Sequence, residues 1–169
     1  MAVIIGTSGK TKRRIERLAR VKLRIGDEEV EMRGKDPYDE FRAKDVIRAI
    51  ARGFSPDDAL TLLQEEHYLK LIDLKELFGS EKAIARNKAR IIGERGRTKK
   101  VIEECSGARL SIYGNTVGII GTLDEVRLAA EAVERLLEGK SHSFVYAMLE
   151  RGRKRMKEER MLGMWEKKE

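Results

Sequence analysis

The sequence predicts an α+β fold made of two copies of one small module, followed by a helical tail. The first observation behind this is an internal repeat. Residues 4–16 (I-I-G-T-S-G-K-T-K-R-R-I-E) align without a gap with residues 91–103 (I-I-G-E-R-G-R-T-K-K-V-I-E). The offset of 87 residues continues through Leu23/Leu110 and Ile25/Ile112, which is too long for a solenoid repeat and suits two small domains. The second observation is that apolar spacing after each glycine pair changes from helical to alternating, as when a helix hands over to a strand. The third is that each glycine pair opens a strongly basic segment.

Taken in order, Lys10–Arg20 reads as a short helix with Ile15, Leu18 and Ala19 on its apolar side. Val21–Ile25 alternates apolar and basic residues, as a half-buried strand does, with Leu23 and Ile25 inward. Gly26-Asp27 marks a turn, and Glu29–Arg33 returns as a second strand with Val30 and Met32 inward. Asp36-Pro37 starts a helix, with Asp at the cap and Pro at the first position. That helix runs through Phe41, Val46, Ile47 and Ile50 and stops near Gly53. Ser55-Pro56-Asp57-Asp58 repeats the start signal for a linker helix containing Leu60, Leu62 and Leu63.

Tyr68–Leu74 alternates again and opens the second module. Ser80 caps a helix that runs through Ile84 and Ala89 to Ile92, directly before Gly93. A further helix runs from Arg97 to about Cys105, then a hairpin pairs Ala108–Tyr113 with Thr116–Gly121 across Gly114-Asn115. Thr122-Leu123-Asp124-Glu125 is a capping box before a helix bearing Val126, Leu128, Ala129, Val133, Leu136 and Leu137, which Gly139 ends. The expected domains are therefore 1–65, 66–139 and a basic helical tail, 140–169. The first module is expected to lack its opening strand, because only Val3-Ile4-Ile5 stand between Ala2 and Gly6.

Charge sharpens this picture. The chain has 169 residues and a net charge of +7. Residues 10–24 carry 8 Lys/Arg against 1 Glu, and residues 86–100 carry 7 against 1, whereas residues 26–82 are net acidic. Cations concentrated on the same element of a repeated module point to an anionic partner, and a phosphate backbone fits best. Glycine supplies backbone angles forbidden to other residues and allows close approach. A helix starting just after it directs unpaired N–H groups and positive dipole at the same spot.

Other chemistry finds little support. There is no apolar run long enough to span a membrane and no secretory-signal pattern at the start. One cysteine, Cys105, excludes an internal disulfide framework and fits a reducing cytoplasm. Two histidines, His67 and His142, belong to no catalytic or metal motif, so neither a catalytic residue nor a metal or cofactor is expected. Gly6-Thr7-Ser8-Gly9-Lys10-Thr11 approximates a phosphate-binding P-loop but has two residues between its glycines where that loop needs four. The composition, rich in charge and poor in Asn and Gln, resembles that of thermophile proteins.

The order strand, helix, G-x-x-G, helix, strand, strand, helix resembles the KH module in its eukaryotic-type (type I, βααββα) topology, which clamps about four nucleotides of single strand against the loop. The linker Gly53–Leu63 and the tail stretch with His142, Ser143, Val145 and Tyr146 resemble the archaeal Pno/Dim family of small-subunit ribosome assembly factors. The resemblance implies two tandem KH modules, single-stranded RNA at the 3′ region of the small-subunit rRNA precursor, and the Nob endonuclease as a partner. It assigns RNA binding to Gly93, Glu94, Arg95, Gly96, Arg97, Lys99 and Lys100, with Arg90 and Arg109 beside them. Gly6, Thr7, Ser8, Gly9, Lys10, Lys12 and Arg13 form the second-ranked site. Glu94 is expected to point away from phosphate. Two other roles remain open at this stage: a general KH adaptor in RNA decay or translation, and a protein-interaction scaffold without RNA affinity.

Overall fold

The computed structural model describes residues 2–6, 9–26 and 30–166. Thr7, Ser8, Asp27 of the expected turn and Glu29, the expected start of the second strand, lie outside the described residues.

A short helix α1 (Ala2–Ile5) leads into Gly6, and α2 (Lys10–Ala19) follows Gly9. The strands β1 (Val21–Ile25) and β2 (Val30–Gly34) pair antiparallel with Leu23 opposite Met32. The helix α3 (Pro37–Ala51) then packs against α2 and both strands. Asp36 caps α3 by accepting from the Tyr38 N–H, with Pro37 at the first turn as expected. Helical spacing alone does not decide burial in this half. Leu18 is 48% exposed and Phe41 66% exposed, so neither joins the core. Ile15 and Ala19 fill the inward stripe of α2 without Leu18, and Ala43, Val46, Ile47 and Ile50 do the same for α3 without Phe41.

The second module has the full set of elements. It comprises β3 (His67–Asp73), a single-turn α5 (Leu74–Leu77), α6 (Glu81–Ile92), α7 (Arg97–Ser106), β4 (Arg109–Tyr113), β5 (Thr116–Thr122) and α8 (Leu123–Leu137). Its sheet has the order β3-β5-β4, all antiparallel, with Leu69 opposite Ile120 and Ser111 opposite Gly118. The strand expected to end at Leu74 ends at Asp73 instead. Asp73 accepts from the Lys75 N–H and so starts α5, which buries Leu74 completely. The capping box is present, with the Glu125 carboxylate accepting from the Thr122 N–H at 3.0 Å. The tail is one helix, α9 (His142–Glu166), whose Val145 and Leu149 are fully buried against α7 and α8.

The two modules share their core boundary. The sheet face of the second module that does not bear its helices is covered by the linker, which is α4 (Pro56–Leu60) and a 3₁₀ turn (Thr61–Leu63). Phe54, only 4% exposed, lies over Gly118, where an added Cβ would come within 2.6 Å of its ring. Ile120 of β5 is buried in the cluster containing Phe54, Leu60 and Leu62. The Ser111 hydroxyl donates to the Arg52 carbonyl at 2.8 Å, satisfying a carbonyl at the end of α3. Arg42 of α3 donates to the carbonyls of Leu62 and Gln64, holding the far end of the linker.

Candidate nucleic-acid interface

The repeat seen in the sequence is a repeat of structure. In both copies a helix delivers a buried isoleucine, Ile4 or Ile91, and then breaks at a glycine with positive φ. Gly6 and Gly93 have φ of 68° and 73°, and Gly9 and Gly96 have 71° and 76°. The Gly9 N–H donates to the Gly6 carbonyl, and the Gly96 N–H to the Gly93 carbonyl, each at 3.2 Å. Downstream, the Glu16 carboxylate accepts from the Leu23 N–H at 2.9 Å and the Glu103 carboxylate from the Leu110 N–H at 2.8 Å. These hydrogen bonds tie each loop helix to the strand after it. They explain why Glu16/Glu103 belong to the repeat.

The two glycines of each loop do different work. A Cβ on Gly93 would fall 2.2 Å from Thr98 Oγ1, and one on Gly6 2.2 Å from Thr11 Oγ1. The first glycine of each pair is therefore required by internal packing. At Gly9 and Gly96 nothing lies within 4 Å, so the second glycine keeps open surface in front of the loop. In the second loop Gly96 is also the N-cap of α7, so no side chain covers the first amides of that helix. An incoming phosphate meets bare backbone donors there.

Around that surface Glu94, Arg95, Arg97 and Lys100 are exposed and Lys99 is half-buried. Arg95 itself takes a left-handed backbone, φ 52°, which turns the chain between the glycines. Lys99 and Lys100 lie 3.7 Å from Glu103 and Glu104, one turn on. The Lys100–Glu104 pair is exposed and contributes little to stability. A groove of about 580 Å³ runs beside the loop, with Ile92, Leu110 and Ile112 apolar and Lys99 and Arg109 cationic. The structure thus brings Lys99 and Arg109 onto one groove. It does not bring Arg90 there, because the Arg90 guanidinium donates to the carbonyls of Leu136 and Lys140 and so closes the end of α8.

In the first loop Gly6, Gly9, Lys10, Lys12 and Arg13 occupy the equivalent positions, while Thr7 and Ser8 lie outside the described residues. Arg14 is engaged with Asp57 of the linker. The loops also differ in support. Thr98 Oγ1 lies 2.9 Å from the Tyr146 hydroxyl, and His142 Nε2 lies 3.0 Å from the Arg90 carbonyl, so α9 braces the second loop from behind. Sequence reasoning missed this bracing, although Thr11/Thr98 in the repeat and His142 and Tyr146 in the tail were the available signals. Cys105 is a packing residue: burial raises its thiol pKa, reinforced by Glu150, which accepts from it. Among the described residues no group of three or more His, Cys, Asp or Glu side chains is placed to hold a metal. None of the described helices is long and apolar enough to cross a membrane.

Residues 68–154 match the family model for the eukaryotic-type KH domain (KH-domain type I). The chain is 43% identical over 173 aligned positions to a KH domain-containing protein of Methanocaldococcus jannaschii, covering 99% of this chain and 76% of that one. The chain belongs to the Pno1/Dim2 family of KH-domain proteins. The pre-rRNA-processing protein pno1 of Schizosaccharomyces pombe is 33% identical, over 83% of this chain and 61% of its own length. Among solved structures, Dim2p from Pyrococcus horikoshii superposes with a TM-score of 0.83 at 42% identity, covering 89% of this chain and 92% of that one. The same match holds for a crystal structure of an a/eIF2alpha-aDim2p-rRNA complex from that organism, with a TM-score of 0.84, 42% identity, and coverage of 91% and 88%. In this Pno1/Dim2 chain the type I KH match covers the module whose loop is both open in front and braced behind.

Proposed function

We propose that the chain is a non-catalytic single-stranded-RNA-binding factor in small-ribosomal-subunit assembly, holding the 3′ region of the rRNA precursor in the cytoplasm. The observation that carries this reading is Gly96, where a positive-φ glycine with open space before it heads an uncapped helix beside a groove bearing Lys99 and Arg109. The relatives supply the ligand class, since one is a pre-rRNA-processing protein and another is named in a complex with rRNA. Gly93–Lys100 and Arg109 contact the RNA, and the loop from Gly6 to Arg13 is a secondary contact. Residues 1–65 and 66–139 act as the two modules, and residues 140–169 as a brace with a basic outer face. The Nob endonuclease is the protein partner that the family resemblance proposes.

The test is a fluorescence-anisotropy titration with labelled oligonucleotides from the 3′ end of small-subunit rRNA at several salt concentrations. Each neutralised phosphate of a single strand contributes about −0.7 to the slope of log K against log salt. A four-nucleotide clamp is therefore expected to give a slope of about −2 to −3. Absence of binding at low salt would instead support a protein-interaction scaffold.

A further inference from the structure

Little within the second loop holds it in one shape. Gly93 and Gly96 have no side chains, Arg95 sits in the left-handed region, and one backbone hydrogen bond, from the Gly96 N–H to the Gly93 carbonyl, closes the turn between them. A loop of this composition samples other conformations unless its flanks are fixed.

Both flanks are fixed, and from a single turn of α9. Ser141 Oγ accepts from the Phe144 N–H at 3.3 Å at the start of that helix, which puts His142 in the first turn and Tyr146 one turn on, on the same face. His142 Nε2 lies 3.0 Å from the carbonyl of Arg90, in the last turn of α6 before the loop. A carbonyl only accepts, so Nε2 carries the proton and donates. The Tyr146 hydroxyl lies 2.9 Å from Oγ1 of Thr98, in the first turn of α7 after the loop. Thr98 is 2% exposed, and the same Oγ1 packs directly on Gly93. Four residues of helix separate the two anchors by about 6 Å along α9, and the chain between Arg90 and Thr98 is the whole loop. In the first loop Thr11 Oγ1 packs on Gly6 in the same way, but among the described residues no hydroxyl meets it.

We infer that His142 and Tyr146 are positioning residues for RNA, which order the second loop before the strand arrives by tying Arg90 and Thr98 to one turn of α9. Neither side chain touches the RNA. The entropy of ordering the loop is lost on folding and is not deducted from binding, so the second loop binds more tightly than its unbraced twin. The affinity of the second module is thereby set in part by the tail, which lies outside the groove. The inference rests on the RNA-binding reading above.

The experiment titrates the full chain with the labelled rRNA 3′-end oligonucleotide at several salt concentrations, well below the melting temperature of each variant. Loss of one such hydrogen bond is expected to weaken Kd about 5-fold in Tyr146→Phe and in His142→Leu. The salt slope is expected to stay that of wild type, because no phosphate contact is lost. His142→Gln keeps an amide donor at similar reach and is expected to bind within about twofold of wild type. Without RNA, amide exchange followed by NMR at Arg95 and Arg97 is expected to be about 5-fold faster or more in the chain carrying both Tyr146→Phe and His142→Leu. Variants that melt earlier but bind RNA as tightly as wild type make the contacts purely structural and overturn the inference. A slope shallower by about 0.7 makes the mutated side chain a phosphate contact and overturns it as well. So does loop exchange that the double substitution leaves unchanged, or a His142→Gln chain as weak as His142→Leu. Each of these leaves the RNA reading intact, whereas a wild-type chain that binds no RNA overturns that reading and the inference with it.

Discussion

Gly96→Asp places a carboxylate where the loop surface is open, and its consequences for folding and for binding separate cleanly. No atom lies within 4 Å of a Cβ at this position, so the only folding cost is the positive φ of 76°. The left-handed region costs an L-residue about 1–2 kcal/mol, and Asp is among the side chains that tolerate it best. A loss of about 1 kcal/mol lowers Tm by about 2–4 °C for a chain of this size. For binding, a carboxylate about 5 Å from a phosphate at an effective dielectric of about 20 adds roughly 3 kcal/mol of repulsion. That corresponds to at least a 100-fold weaker Kd. Gly93→Ala gives the opposite pattern, because its Cβ would sit 2.2 Å from Thr98 Oγ1 and 2.7 Å from the Thr98 backbone nitrogen. It is expected to cost more than about 2 kcal/mol of stability before any question of binding arises. Differential scanning fluorimetry and anisotropy titration at matched salt read the two effects. A Gly96→Asp chain that binds RNA as tightly as wild type, or one that melts as early as Gly93→Ala, would refute this division of labour.

Three further predictions concern the parts that position the loop. Tyr146→Phe removes the hydroxyl 2.9 Å from Thr98 Oγ1 and is expected to cost about 1 kcal/mol, seen as a Tm drop of about 2–4 °C; an unchanged Tm would mean that α9 does not brace the loop through this contact. Phe54→Ala empties the contact over Gly118 and is expected to cost about 3 kcal/mol or more, measured by urea denaturation; a loss below about 1 kcal/mol would show that the linker does not hold the second sheet. Burial acts to raise the Glu125 pKa, but hydrogen bonds from Thr122 and Arg160 outweigh it and hold the pKa below the ordinary glutamate value. Its contribution is thus complete above the unfolded-state pKa and is lost as pH falls through the depressed folded-state value. Glu125→Gln should therefore destabilise the chain at neutral pH and flatten the fall of Tm on acidification below about pH 4.3, and an acid slope equal to that of wild type would contradict it.

Much of the fold was legible because the repeat was written in residues that have the same physical job twice. Ile15/Ile102 and Leu23/Leu110 are core pairs, and Glu16/Glu103 make the same strand tie. The helix starts at Asp36-Pro37, Ser55-Pro56, Ser80 and Thr122 were readable because capping is local chemistry. What periodicity could not supply was the partner of each apolar face. Leu18 sits at the position of Cys105, but α9 buries Cys105 and the first module offers no equivalent cover among the described residues, so Leu18 stays exposed. Phe41 has helical spacing and yet faces outward, since Ala43, Val46, Ile47 and Ile50 suffice to fill the space between α3 and its sheet. Arg90 read as part of the basic run, and only the fold reveals that the end of α8 lies within its reach. The contribution of the linker to the groove was likewise hidden, because Asp58 and Arg109 are separated by most of the second module in sequence and meet only when the linker folds onto the sheet.

RNA binding at the second glycine loop is the claim on which the proposed function stands or falls. Ultraviolet crosslinking of the purified chain to a small-subunit rRNA 3′-end oligonucleotide, followed by mass-spectrometric mapping of the modified peptides, measures this directly. The expected result is crosslinks concentrated on Ile92–Lys100 and Arg109–Ile112, with weaker signal from the peptide bearing Gly9–Arg13. Crosslinks confined to the tail beyond Arg151, or none at either glycine loop under conditions where the RNA is bound, would contradict it.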